Sequence, residues 1–98
     1  MKIINTVEEF DSTIKEGKVL VDFFATWCGP CRMLTPVLEE VSEQVDCEII
    51  KVDVDNLPEL AKRYSIFSIP TLLLFVNGEL VKTTRGYQDA DALINFIG

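Results

Sequence analysis

The chain predicts an α/β fold: a central mixed β-sheet of five strands flanked by four helices, in the order β-α-β-α-β-α-β-β-α. Three observations carry this. The segment "KVLVDFFA" is nearly all apolar and rich in β-branched and aromatic residues, the pattern of a strand buried on both faces, as parallel sheets require. Strand-like and helix-like segments alternate along the first two-thirds of the chain, which is the signature of parallel β-α-β units. The last third instead carries two strand-like runs joined by Asn77-Gly78, the strongest short hairpin signal, so the sheet is mixed.

Each element has its own warrant. "KIIN" is a short apolar strand. In "TVEEFDSTIKEG", Thr6 is placed as N-cap with Glu9 three residues on, as in a capping box, and Val7, Phe10 and Ile14 recur at helical spacing up to Gly17. After "KVLVDFFA", Met33, Leu34, Val37, Leu38, Val41 and Val45 predict the apolar stripe of a long helix, with Glu39, Glu40 and Glu43 off it. Pro36 lies inside this helix and is expected to kink it, because it removes one N–H and crowds the preceding turn. "CEIIKVDVD" reads as a strand and "NLPELAKRY" as a short helix with Pro58 in its first turn. "TLLLFV" and "ELVKTTR" are the hairpin strands. "DADALINFI" closes the chain as a helix capped by Asp89.

Length and composition bound the function. Ninety-eight residues make one domain, 1–98, and 48% hydrophobic residues are enough to build its core without staples. Sixteen acidic against nine basic side chains give a net charge of −7, which argues against nucleic acid, since phosphate neutralisation needs clustered Lys and Arg. The start, "MKIINTVEEF", lacks the apolar core of a signal peptide, and the run "TLLLFV" is too short to span a bilayer. No membrane association is expected. Three cysteines, an odd number, suit a reducing compartment better than a secreted disulfide framework, so the cytoplasm is the expected location.

Chemistry concentrates in "FFATWCGPCRML", where Gly29 and Pro30 separate Cys28 from Cys31. With the long helix starting at or near Cys28, residues three apart are separated by about 5 Å at Cα. That lies within the window of roughly 4.4–6.8 Å required for a disulfide. At a helix N-terminus, unpaired N–H groups and the macrodipole favour an anion, so the Cys28 thiolate is stabilised while Cys31 lies a turn deeper and less exposed. Cys28 is then the attacker and Cys31 the resolver. Gly29 keeps the approach open, and Pro30 is tolerated in a first turn whose N–H has no helical partner. A zinc site would need about four ligands, and this chain has no His and only Cys47 as a further thiol. A purely structural disulfide would close a tiny loop with the smallest entropic gain. A reactive dithiol is the reading that remains.

The same residues carry a family resemblance. "WCGPC" after an apolar strand containing Asp22, Pro36 five residues beyond the second cysteine, Ile69-Pro70-Thr71 downstream and "NG" between two strands together resemble thioredoxin over essentially the whole chain, which is slightly short at its C-terminal helix. The resemblance implies the thioredoxin fold and dithiol–disulfide exchange on protein disulfides without a bound cofactor. It also implies re-reduction by a thioredoxin reductase, with the protein acting as a monomer. It casts Asp22 as a buried acid that moves a proton to or from Cys31, and Lys51 as the lysine near that acid. Trp27, Gly29, Pro30, Ile69, Pro70 and Gly86 become the surface that meets a target, with the Ile69–Pro70 bond cis. Phe24 stands where many members carry a second Trp. Without the resemblance, Asp22 is either a group costly to bury charged, whose pKa desolvation should raise, or a strand-end Asp with solvent access, and Lys51 is an ordinary surface lysine. Cys47 matches no catalytic position and is expected to be a buried small hydrophobe. The rival function is a binding subunit of the same fold whose affinity, not redox turnover, matters.

Overall fold

The computed structural model describes residues 1–98. Strands β1 (Lys2–Ile3), β2 (Lys18–Phe24), β3 (Glu48–Asp53), β4 (Thr71–Val76) and β5 (Glu79–Arg85) form one sheet in the order β1-β3-β2-β4-β5. β3 runs parallel to both β1 and β2, whereas β4 is antiparallel to β2 and β5 to β4. Helices α1 (Val7–Thr13), α2 (Gly29–Ser42), α3 (Pro58–Arg63) and α4 (Ala90–Ile97) complete the expected order.

The apolar run 18–24 occupies the centre of the sheet, with β3 on one side and β4 on the other. Its residues alternate between two cores, as the period of two along a strand requires. Val19, Val21 and Phe23 join Phe10 of α1 and Leu60 of α3 on one face. Leu20 joins Leu34, Leu38 and Val41 of α2 and Leu93 and Ile97 of α4 on the other. The edge strands are the short β1 and the mostly exposed β5, whose charged Glu79, Lys82 and Arg85 discourage pairing with another chain.

Local signals are realised with two adjustments. Thr6 caps α1 by accepting the Glu9 N–H at 3.0 Å, but the Glu9 carboxylate reaches one residue past the cap, accepting from the Asn5 N–H at 2.8 Å. In α2 the buried line is Cys31, Leu34, Leu38 and Val41. Met33 is exposed, about a quarter-turn off that line, and Val45 packs on the core from beyond the helix end. Pro36 sits within α2, and the helix continues through it. At the hairpin, Asn77 and Gly78 have φ of 50° and 87°, the paired left-handed conformation of a type I′ turn. Asn77 also exchanges two hydrogen bonds with Gly17, tying the turn to the loop before β2 at the sheet end remote from the cysteines.

Candidate active site

The cysteine pair is built by the end of β2 and the start of α2. Past the strand, the Cys28 N–H donates to the Ala25 carbonyl at 3.2 Å, and Cys28 becomes the N-cap of α2 in extended conformation. Its Sγ accepts the Cys31 N–H at 3.2 Å, taking the place that a Ser or Asp oxygen fills in an ordinary cap. Cys28 and Cys31 are joined by a disulfide with Cα atoms 5.2 Å apart, inside the expected window. The expected contrast in exposure is slight: Cys28 is 5% exposed and Cys31 2%. Ala25, Phe24, Val54 and Ile69 pack around both sulfurs, which leaves only a sliver of Cys28 in contact with solvent.

The opposing wall comes from the loop before β4. The Ile69–Pro70 bond is cis, and the Ile69 carbonyl oxygen lies 3.9 Å from Cys28 Sγ. The Pro70 carbonyl accepts from the Gly86 N–H at 2.8 Å, which brings the end of β5 alongside. Gly86 has φ of 89°, so its backbone conformation is what demands glycine there; a Cβ would meet nothing within 4 Å. Gly29 likewise has open space where a side chain would stand. Trp27 is 68% exposed, and its indole N–H donates to Asp55 Oδ2 at 2.8 Å, so the ring has a fixed tether while its face meets solvent. Phe67, two residues before Ile69, is 93% exposed.

Within the sheet, Asp22 lies opposite Lys51 of β3 and Leu72 of β4. It is fully buried, and neither carboxyl oxygen has a hydrogen-bond partner. Desolvation raises its pKa to about 7 from an ordinary value of 3.8, against the opposing pull of the Lys51 charge. The Lys51 ammonium donates to Thr35 Oγ1 at 2.9 Å and stands 4.5 Å from the centre of the Phe24 ring. Lys51, Thr35 and Cys31 line one cleft of about 240 Å³, together with Phe24 and Arg32. Lys51 is therefore not the ordinary surface lysine that composition alone implies.

The structure thus gathers every candidate residue at the end of the sheet where β2 stops and β4 starts. No motif in the sequence marks Asp55, which holds the Trp27 indole, Thr35, which holds the Lys51 ammonium, or the exposed Phe67. Thr35 left a signal, a polar residue one helical turn after Cys31. Phe67 left only an aromatic in a loop. Cys47 stands apart, half-buried just before β3 against the α2–α4 core, and burial pushes its thiol pKa up.

The Thioredoxin family model matches residues 1–98. The chain belongs to the thioredoxin family. It is 50% identical over 91 residues to a thioredoxin of Chlamydia trachomatis, an alignment that covers 92% of this chain and 89% of the relative. Among solved structures, a mutant thioredoxin of Halobacterium salinarum superposes with a TM-score of 0.92 at 44% identity, over 98% of this chain and 86% of the other. Plasmodium falciparum thioredoxin gives 0.92 at 41% identity, over 99% and 96%. The five-stranded mixed sheet with four helices is the thioredoxin fold. The function is that of a thioredoxin-type protein-disulfide oxidoreductase with a redox-active Cys28–Cys31 pair. Membership brings with it disulfide-containing substrates and a reductase as general kinds of partner. No helix is long and apolar enough to cross a membrane.

Proposed function

We propose that this single thioredoxin domain reduces protein disulfides with Cys28 as attacking thiolate and Cys31 as resolving thiol. The observation that carries this is the cap: Cys28 Sγ accepts a backbone N–H at the start of a 14-residue helix. In the reduced protein the same N–H and the helix dipole would favour a thiolate at Cys28. That thiolate attacks one sulfur of a target disulfide, forming a mixed disulfide as the other target sulfur leaves as a thiolate and takes up a proton. Cys31 then loses its proton and attacks Cys28 Sγ. The bond to the target breaks, the Cys28–Cys31 disulfide forms, and two electrons have passed from the protein to the target.

Asp22 is the acceptor of the Cys31 proton in this scheme. A carboxyl with a pKa of about 7 is substantially ionised at neutral pH yet readily protonated, and no protein group donates to either of its oxygens. Lys51 supplies the cation that moderates Asp22. Trp27, Gly29, Pro30, Ile69, Pro70 and Gly86 form the docking surface, on which an extended target segment pairs with the Ile69 backbone as an added strand. The partners are a thioredoxin reductase and extended disulfide-bearing segments of other proteins, met by a monomer in the cytoplasm.

Insulin reduction with dithiothreitol as donor tests this directly. Catalysed precipitation of the insulin B chain is expected from the protein, and none from Cys28→Ser. An uncatalysed rate with the intact pair would favour the binding-subunit alternative.

A further inference from the structure

Strand pairing puts Asp22 and Lys51 directly across from each other on neighbouring strands, which lie about 4.8 Å apart. A lysine stem is long enough to bring its ammonium to that carboxylate, and a buried carboxylate would attract it strongly. No such ion pair forms, and both Asp22 oxygens stay unpartnered. The ammonium is drawn to α2 instead, where Thr35 Oγ1 accepts from it at 2.9 Å. That hydroxyl donates in turn to the carbonyl of Cys31, one helical turn earlier, at 3.3 Å. A hydroxyl has one donor and two acceptor lone pairs, so it can serve both partners at once.

We propose that Thr35 is a positioning residue of the proton relay: its hydroxyl, anchored on the Cys31 carbonyl, holds the Lys51 ammonium off the Asp22 carboxyl and leaves that carboxyl free to take the Cys31 proton. This rests on the reading of Asp22 as proton acceptor. Remove the hydroxyl acceptor, and Asp22, directly across the strand pair, becomes a charged partner for Lys51. Little else would offset the change. β3 also turns Asp53 to this side, and its carboxylate accepts from the Asp55 N–H. On α2, Arg32 donates to the Thr26 carbonyl and Cys31 is in the disulfide. β4 presents Leu72 and Leu74, and α4 presents Leu93 and Ile97, while Asp89 and Asp91 of α4 are exposed.

The test is the titration of the Asp22 carboxyl carbon by NMR in the oxidised protein, where Cys28 and Cys31 cannot titrate. Thr35→Val is expected to lower the midpoint by about one pH unit, the effect of an opposite charge moving to within ion-pair reach. Thr35→Ser, which keeps the hydroxyl, should restore the wild-type midpoint. In a Lys51→Met background Thr35→Val should shift nothing, because the hydroxyl acts through the ammonium. Thr35→Ala loses the same acceptor without adding a methyl group and gives the same reading if the valine variant does not fold. An unchanged midpoint in the valine and alanine variants, or an equal shift with and without Lys51, would overturn the assignment. Turnover of Asp22→Asn separates the two layers. Undiminished turnover there removes the relay and Thr35's place in it, whereas slowed turnover with an immobile midpoint leaves Asp22 standing and sinks Thr35 alone.

Discussion

The two faces of β2 start from the same seven residues and serve different ends. Val19, Val21 and Phe23 look toward α1 and α3 into an uninterrupted apolar cluster, where Phe10, Tyr64 and Phe75 meet edge-on or tilted with ring centroids 5.6–6.0 Å apart. Leu20, Asp22 and Phe24 look toward α2 and α4. There the apolar surface is broken by one carboxyl with no partner, and Phe24 packs on the cysteines. One face is packing alone. The other carries a buried carboxyl whose ionisation costs stability. In the proposed mechanism that carboxyl exchanges the Cys31 proton.

Breaking the first face should be costly and indifferent to pH. Phe23→Ala, which truncates a fully buried ring, is expected to destabilise by about 3–5 kcal/mol in urea titrations. The loss should be the same at acidic and neutral pH, since every buried member of that cluster is apolar. A loss that varied with pH would show that the two faces are coupled.

The second face should respond in the opposite sense. Asp22 has its pKa raised from 3.8 to about 7 on folding, so between these values the native state binds more protons than the unfolded state. Its contribution is therefore least unfavourable below about pH 4, worsens as pH rises, and levels off above about pH 7 at a penalty of about 4 kcal/mol. Asp22→Asn should accordingly gain little stability near pH 4 and up to about 4 kcal/mol above neutrality, while slowing disulfide reduction. A gain that did not grow with pH would mean that Asp22 is not buried as an acid.

The smallest effect is expected from Cys47. It packs against the second core from its margin, and burial raises its thiol pKa. Cys47→Ser should cost about 1 kcal/mol or less and keep most activity, and iodoacetamide at neutral pH should label Cys28 of the reduced protein first. Loss of turnover without unfolding would give Cys47 a role outside the site.

The same contrast explains what the sequence could reveal. Periodicity made both faces legible, because alternate apolar residues in 18–24 and the line Leu34, Leu38, Val41 are dictated by strand and helix repeats. Caps and turns were legible where one side chain decides them, as at Thr6, Asp89 and Asn77-Gly78. The cysteine pair was visible because its spacing is local. What stayed hidden depends on side chains from separate segments, as in Asp55 finding the Trp27 indole and Thr35 capturing Lys51. Spacing along the chain does not encode such meetings, and Met33 shows that even a helical stripe can be drawn one residue too wide.

In the proposed mechanism Cys28 attacks and Cys31 resolves. The most direct measurement of these roles is the trapping of a mixed disulfide by two variants, Cys31→Ser and Cys28→Ser, each incubated with a disulfide-bonded target and read by mass spectrometry of the intact adduct. The Cys31→Ser protein is expected to accumulate a one-to-one covalent adduct through Cys28, released by dithiothreitol, and Cys28→Ser to form little or none. An adduct that accumulates on Cys31 in the Cys28→Ser protein, with none on Cys28 in its counterpart, would reverse the two roles.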